Sequence, residues 1–194
     1  MSEAKFDICS TALTMIGCSP IASFEDGSAE ADVARTHYES VLRGALTVPG
    51  AQPYRWRFAS DLRSLGAPLS GVPTAKWGFA WQLPADMLAL TGVCVNDRAI
   101  PYARFADKLL CDEAEGVVAE ITYRPDEAAF PPYFVTAFTH ELASRFAPAL
   151  AQDTAEGKRL FEMAVGFYTG ARTLDSQQQP PKRVAPGRLL NAWR

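Results

Sequence analysis

The chain has 194 residues, 48% of them hydrophobic, with 19 Lys and Arg against 22 Asp and Glu and a formal charge of −3. That length fits one domain, or one domain with a small insertion, able to bury a real core. The mild acidity argues against a dedicated nucleic-acid binder, which carries a basic face to neutralise phosphates. Cys9, Cys18, Cys94 and Cys111 form no CxxC pair and stand in apolar stretches, so buried thiols in a reducing compartment are expected rather than a disulfide framework. The opening residues MSEAKFDICS lack a basic region and a long apolar run, and no stretch is apolar for the length of a bilayer. Neither a secretion signal nor a membrane span is expected.

In chain order, Phe6, Cys9, Leu13 and Ile16 recur at spacings of three and four and predict a first helix over 2–17, ended by Gly17. A loop with Pro20 and Gly27 leads to a second helix over 28–48. Ser28 is its expected cap, and Ala34, Tyr38, Val41 and Leu42 its inner face, before Pro49-Gly50 stops it. Glycine and proline then become frequent, and short runs rich in Val, Ile and aromatics replace the helical period. They predict strands at 78–83, 88–95, 99–105, 108–111 and 117–123, with turns at Asn96-Asp97 and Glu115-Gly116. The helical period returns after Pro131-Pro132, where Val135, Phe138, Leu142 and Phe146 mark a third helix over 132–150 that Pro148 ends or kinks. Asp153 and Glu156 resemble a capping box for a fourth helix over 153–174, with Leu160, Ala164, Phe167, Ala171 and Leu174 inward.

The expected architecture is therefore α+β, mainly α. It is a four-helix bundle with a small antiparallel β insertion at about 77–124 between the helix pairs, spanning 1–174. Phe6, Leu13, Tyr38, Leu42, Phe138, Leu142, Phe146 and Phe167 are its expected core. Residues 175–194 (DSQQQPPKRVAPGRLLNAWR) read as an extended arm. Three prolines and a glycine break any helix there, and the only apolar cluster is Leu189, Leu190 and Trp193. Lys182, Arg183, Arg188 and Arg194 against Asp175 give this segment +3, which leaves −6 on residues 1–174. A solvated tail is the alternative reading of such a segment, but Leu and Trp gain nothing in water and much on burial. The arm is therefore expected to dock on a partner through Lys182, Arg183, Arg188, Leu189, Leu190, Trp193 and Arg194.

No catalytic constellation stands out, and neither an enzymatic activity nor a cofactor is expected. His37 and His140 lie on different helices, and His140-Glu141 lacks the second histidine of a zinc-binding HExxH. No glycine-rich phosphate loop or nucleophile elbow occurs. Asp112, Glu113 and Glu115 lack the spacing of a calcium loop and fit a solvated turn. Tyr54-Arg55-Trp56-Arg57-Phe58 interleaves aromatics with arginines, as nucleic-acid binders do. Its alternation fits better a segment that buries the aromatics and exposes the arginines.

Several stretches, weak singly, occur in an order that is informative together. They are Ala12-Leu13-x-x-Ile16-Gly17-x-x-Pro20-Ile21, Tyr38-x-x-Val41-Leu42, Trp56-x-Phe58-Ala59 and Gln82-Leu83-Pro84-Ala85-Asp86-Met87-Leu88, followed by Phe130-Pro131-Pro132-x-Phe134 leading to Ala137-x-x-x-x-Leu142-Ala143. In this order the chain resembles the tail tubular protein A family of short-tailed phages, the head-to-tail adaptor beneath the portal. The resemblance implies a structural virion protein at the head-tail junction, assembled in the host cytoplasm as a closed ring of about twelve copies around the DNA channel. It implies as partners the portal protein, bound by the C-terminal arm, neighbouring copies of the chain, and a tail or nozzle protein below. DNA passes through such a channel without sequence-specific binding, and no membrane or cofactor is involved. The competing reading, from composition alone, is a cellular helical scaffold whose basic tail recruits a partner protein.

Overall fold

The computed structural model describes residues 3–178. The first helix, α1 (Glu3–Met15), closes where Gly17 takes φ +77°, while the Gly17 amide donates to Thr14 and the Cys18 amide to the Leu13 carbonyl. This double bond pattern satisfies carbonyls left open at a helix end, and its left-handed residue favours glycine. Helix α2 (Ala29–Thr47) begins as expected, with Ser28 Oγ accepting from the Ala31 amide at 3.1 Å and Glu30 and Asp32 in the first turn. Ala34, Tyr38, Val41 and Leu42 all face inward.

After α2, seven strands are described among these residues before the next helix. They are β1 (Ser60–Ser64), β2 (Phe79–Gln82), β3 (Met87–Val95), β4 (Arg98–Ala99), β5 (Ala103–Phe105), β6 (Lys108–Cys111) and β7 (Val118–Tyr123). One antiparallel sheet has the order β1-β7-β3-β4 and the other β2-β6-β5. The turn at Asn96-Asp97 is the expected one, with φ of 48° and 61°, the left-handed pair that suits the twist of a two-residue hairpin. Val93, Ala119 and Ile121 from the first sheet and Trp81, Leu109 and Cys111 from the second belong to one buried cluster, separate from the helical core.

Helix α3 (Pro132–Phe146) opens with proline in its first turn and buries Phe134, Ala137, Phe138, Leu142 and Phe146. It runs into a π-type turn at Ala147–Ala151 containing Pro148, where the last helical turn was expected. Proline lacks the amide that would continue the α pattern. Helix α4 (Thr154–Gln177) is capped by Asp153, whose carboxylate accepts from the Glu156 amide at 2.8 Å. The Glu156 carboxylate turns to Arg159 instead of completing the box. Helices α3 and α4 then pack closely: a Cβ on buried Gly157 would lie 3.0 Å from the Ser144 carbonyl oxygen.

The expected mainly α four-helix bundle with a small insertion is corrected by these strands. Among the described residues the fold is mixed α/β, with two antiparallel sheets and two cores. The β region begins at Ser60 rather than about 77, because β1 (Ser-Asp-Leu-Arg-Ser) has no apolar alternation to announce it. The strand expected at 99–105 is split into β4 and β5 around Pro101, which has no amide for a ladder. Three positions expected to face inward also differ, one of them Leu174, which is exposed. Phe6 is half-buried, and Phe167 is 41% exposed while its neighbour Tyr168 is fully buried. The inner seam of α4 is Gly157, Leu160, Ala164, Tyr168, Ala171 and Asp175. Helix α4 also continues past 174, so Ser176 and Gln177 are helical rather than part of an extended arm.

Leu142 and Phe167 give a contrasting test of these seams. Leu142→Ala, at a fully buried site, is expected to lower stability by about 2–5 kcal/mol in urea unfolding. Phe167→Ala, on the outer side, is expected to change it by less than about 1 kcal/mol.

Candidate functional site at the end of the fourth helix

The Tyr54–Phe58 segment sorts itself by chemistry. Trp56 is fully buried, Tyr54 and Phe58 are half-buried beside it, and Arg55 and Arg57 are exposed. Trp56 Nε1 donates to the Ala45 carbonyl at 2.8 Å, which removes the cost of burying an indole N–H. Its ring centroid lies 4.8 Å from Tyr54, 5.3 Å from Phe134 and 5.7 Å from Phe58. The two arginines stand on the wall of a cleft of about 690 Å³, shared with Ser60, Glu120 and Ser176. Arg55 donates to Glu120 at 2.6 Å, joining this segment to β7.

Asp175, in the last turn of α4, is completely buried. Its carboxylate accepts from the Tyr133 hydroxyl at 2.9 Å, the Tyr54 hydroxyl at 3.1 Å and the Arg57 backbone amide at 3.1 Å. One side chain therefore ties the end of α4 to the start of α3 and to the aromatic segment. Burial, then the Asp175 carboxylate, pushes the Tyr54 hydroxyl up to about 12. Burial and the hydrogen bond to Asp175 raise Tyr133 as well. One turn earlier, Arg172 lies 5.7 Å from the Tyr54 ring and donates to Gln52 Oε1 at 2.7 Å and to the Pro49 carbonyl. Gln178 Nε2 donates to the Tyr133 hydroxyl at 3.3 Å. The helix end is thus held in place by buried polar contacts, and its chemistry is that of a mooring.

A second buried carboxyl lies across the helical core. Glu141 accepts from the Tyr168 hydroxyl at 2.6 Å and borders a cavity of about 350 Å³ with His37, Ser40 and Arg145. Burial raises the Glu141 carboxyl, an effect partly offset by the Tyr168 bond, and burial also raises Tyr168 strongly. A third polar knot joins α2 to the start of the α3 segment. Glu127 accepts from Arg124 at 2.7 Å and from the Tyr38 hydroxyl at 3.1 Å. Burial pushes the Glu127 carboxyl up, but Arg124 more than offsets this and leaves it below its usual value.

The residues expected to form the docking arm, Lys182, Arg183, Arg188, Leu189, Leu190, Trp193 and Arg194, lie outside the described residues. His37 and His140 sit apart, the first on the Glu141 cavity and the second against Phe167, ring centroids 4.6 Å apart. Asp112, Glu113 and Glu115 occupy an exposed turn, where Asp112 accepts from the Gly78 amide at 2.9 Å. Among the described residues, no group of three or more His, Cys, Asp or Glu is placed to hold a metal, and no helix is long and apolar enough to cross a membrane. The chain matches no protein-family model and no curated protein sequence.

Sequence reasoning missed Asp175, which it assigned to the arm. The available signal was spacing: Asp175 falls four residues after Ala171 and seven after Tyr168, on the buried seam. Asp175→Ala leaves three donors without their acceptor and is expected to cost about 2–4 kcal/mol in urea unfolding. A chain shortened to residue 178 is expected to unfold within about 1 kcal/mol of the full chain, whereas one shortened to residue 174 shows the Asp175 loss. For Glu141 the sign is opposite to that of an ion-paired carboxylate. A pKa raised on folding gives stability that is present below the unfolded value of about 4.3 and is lost as pH rises through the folded value. Glu141→Gln, which keeps an acceptor for Tyr168, is therefore expected to raise the thermal midpoint at neutral pH. That gain shrinks towards pH 4, and a gain independent of pH would contradict the assignment.

Proposed function

We propose that the chain is a structural adaptor that assembles as a ring beneath a phage portal and attaches through residues 179–194. The observation that carries this reading is the mooring of α4. A buried carboxyl with three hydrogen-bond donors fixes the point from which the chain leaves the body, and the segment beyond holds four basic residues, no acidic ones, and the Leu189, Leu190 and Trp193 cluster. A fixed exit with an apolar, cationic continuation suits capture of a partner, because the body loses no freedom on binding. Several residues of the motifs shared with the adaptor family are fully buried, among them Leu13, Leu42, Trp56, Ala59, Phe134 and Leu142. Those motifs therefore describe how the helices pack, which supports a common framework rather than a shared chemistry. The net acidic body suits a channel wall along which DNA slides, since like charge keeps phosphates from sticking.

In this role the anchor and the charges act on different rates. Loss of a large desolvated aromatic contact speeds dissociation, while loss of peripheral charge slows encounter. The test is co-expression with a phage portal protein, followed by mass measurement of the purified complex. The expected result is a particle with about twelve copies of the chain per portal ring. Trp193→Ala is expected to raise the dissociation rate. Lys182→Ala with Arg183→Ala is expected to lower the association rate and flatten its salt dependence. Association with a cellular protein at low stoichiometry, and none with the portal, would favour the scaffold reading instead.

A further inference from the structure

Helix α4 is apolar on two sides. Besides the buried inner seam, Met163, Phe167, Gly170 and Leu174 follow one another at spacings of four, three and four, which places them on one outer face. Met163 is 37% exposed, Phe167 41% and Leu174 52%. The space beside Gly166 and Gly170 is open, so another segment of chain can approach the helix closely there. Phe167 packs on His140, and His140 is also on the wall of a cleft of about 250 Å³ between α1 and α3, with Ile8, Met15 and Val135. Seam and cleft therefore meet at His140 and form one apolar strip across three helices.

Three observations bear on what this strip can take. Gln178 is bonded to Tyr133, only two residues before Val135 on α3, so the chain leaves the body at one end of the strip. Ten residues lie between Gln178 and Leu189, and the eleven Cα steps span about 36 Å when extended. From Leu174 to Met163 the seam is only about 16 Å long, so the segment can double back along it. The segment is also complementary: it supplies Leu189, Leu190 and Trp193 with Lys182, Arg183, Arg188 and Arg194, while Asp7 stands on the cleft wall of a net acidic body. Tethering sets an effective concentration on the order of millimolar, at which even a weak apolar contact is populated.

We propose that in the free protein residues 179–194 fold back on their own body and seat Leu189, Leu190 and Trp193 on the strip formed by Met163, Phe167, Leu174 and the α1–α3 cleft. If the adaptor reading holds, the anchor residues are then sheltered until a portal competes for them, and attachment becomes an exchange of one apolar surface for another. Only this consequence rests on that reading, because the fold-back is tested without any portal.

The test compares amide NMR spectra of the full chain and of the chain shortened to residue 178, each at low and high protein concentration. Shortening is expected to shift the amides of Thr136, His140, Met163, Phe167 and Leu174. The full-chain positions are expected to be unchanged by dilution, with the mass of a single chain. A synthetic peptide of residues 179–194 added to the shortened chain moves the same amides back towards those positions. Phe167→Glu in the full chain, and separately the triple change Leu189→Ser, Leu190→Ser and Trp193→Ser, each reproduce the shortened-chain positions. The triple change alters no described core residue, so it remains informative if Phe167→Glu disturbs folding. Strip amides that do not respond to shortening overturn the proposal. Shifts that vanish on dilution together with a two-chain mass overturn it too, because a second copy then covers the strip.

Discussion

The burial of Trp56 is the constraint on which the rest of the molecule depends. Its indole fills the centre of an aromatic group drawn from the segment after α2, the start of α3 and the middle of α4, with Tyr54, Phe58, Tyr133, Phe134 and Tyr168 around it. A ring of that size buries on the order of 200 Å², and its only polar atom is satisfied by Ala45. Because Trp56 is fixed, the alternating neighbours are fixed as well. Arg55 reaches Glu120 on β7, the Arg57 amide reaches Asp175 on α4, and β1 begins at Ser60. Trp56 thus helps to join the helical and β parts, alongside the Arg124–Glu39 contact between the end of β7 and α2.

The polar groups buried near this centre have a common design. Tyr38 with Glu127, Tyr168 with Glu141, and Tyr54 and Tyr133 with Asp175 each place a phenol hydroxyl on a carboxyl group. Tyrosine brings a large apolar body and one donor, so it satisfies a buried acceptor without adding a second charge. Among these carboxyls in the described residues, the Glu127 carboxyl alone is ion-paired directly, to Arg124, and it falls below its usual value, whereas Glu141 feels Arg145 only at a distance and burial raises it. Two carboxyl groups, each with a phenolic partner, are thus driven in opposite directions by whether a guanidinium bonds them directly.

Much of the helical part was legible because it is written locally. Ser28, Gly17 and Asp153 act where capping chemistry places them, and Leu13, Tyr38, Leu42, Phe138 and Leu142 fall on apolar stripes that are indeed buried. The β part was under-read for a physical reason. Strand β1 is held by its ladder to β7 rather than by its own side chains, and the second core is assembled from residues far apart in sequence. On α4 an apolar periodicity was present twice, and the sequence offered no means of deciding which of Phe167 and Tyr168 turns inward. The site was less legible still: a lone aspartate after an apolar helix looks like the start of a polar tail, its spacing from Ala171 is the one local hint, and the convergence of Tyr54, Tyr133 and the Arg57 amide shows it to be interior.

The tight contact at Gly157 acts over distance as a pivot. Helix α4 runs about 27 Å from Gly157 to Asp175 at its usual rise, so a tilt of about 2° at the pivot displaces the far end by about 1 Å, enough to break a hydrogen bond. With only 3.0 Å between a would-be Cβ and the Ser144 oxygen, a side chain at this position requires the facing helix end to give by a few tenths of an ångström. The closeness of the helix hairpin at this end therefore depends on Gly157, and the hydrogen bonds of Asp175 register its angle at the opposite end.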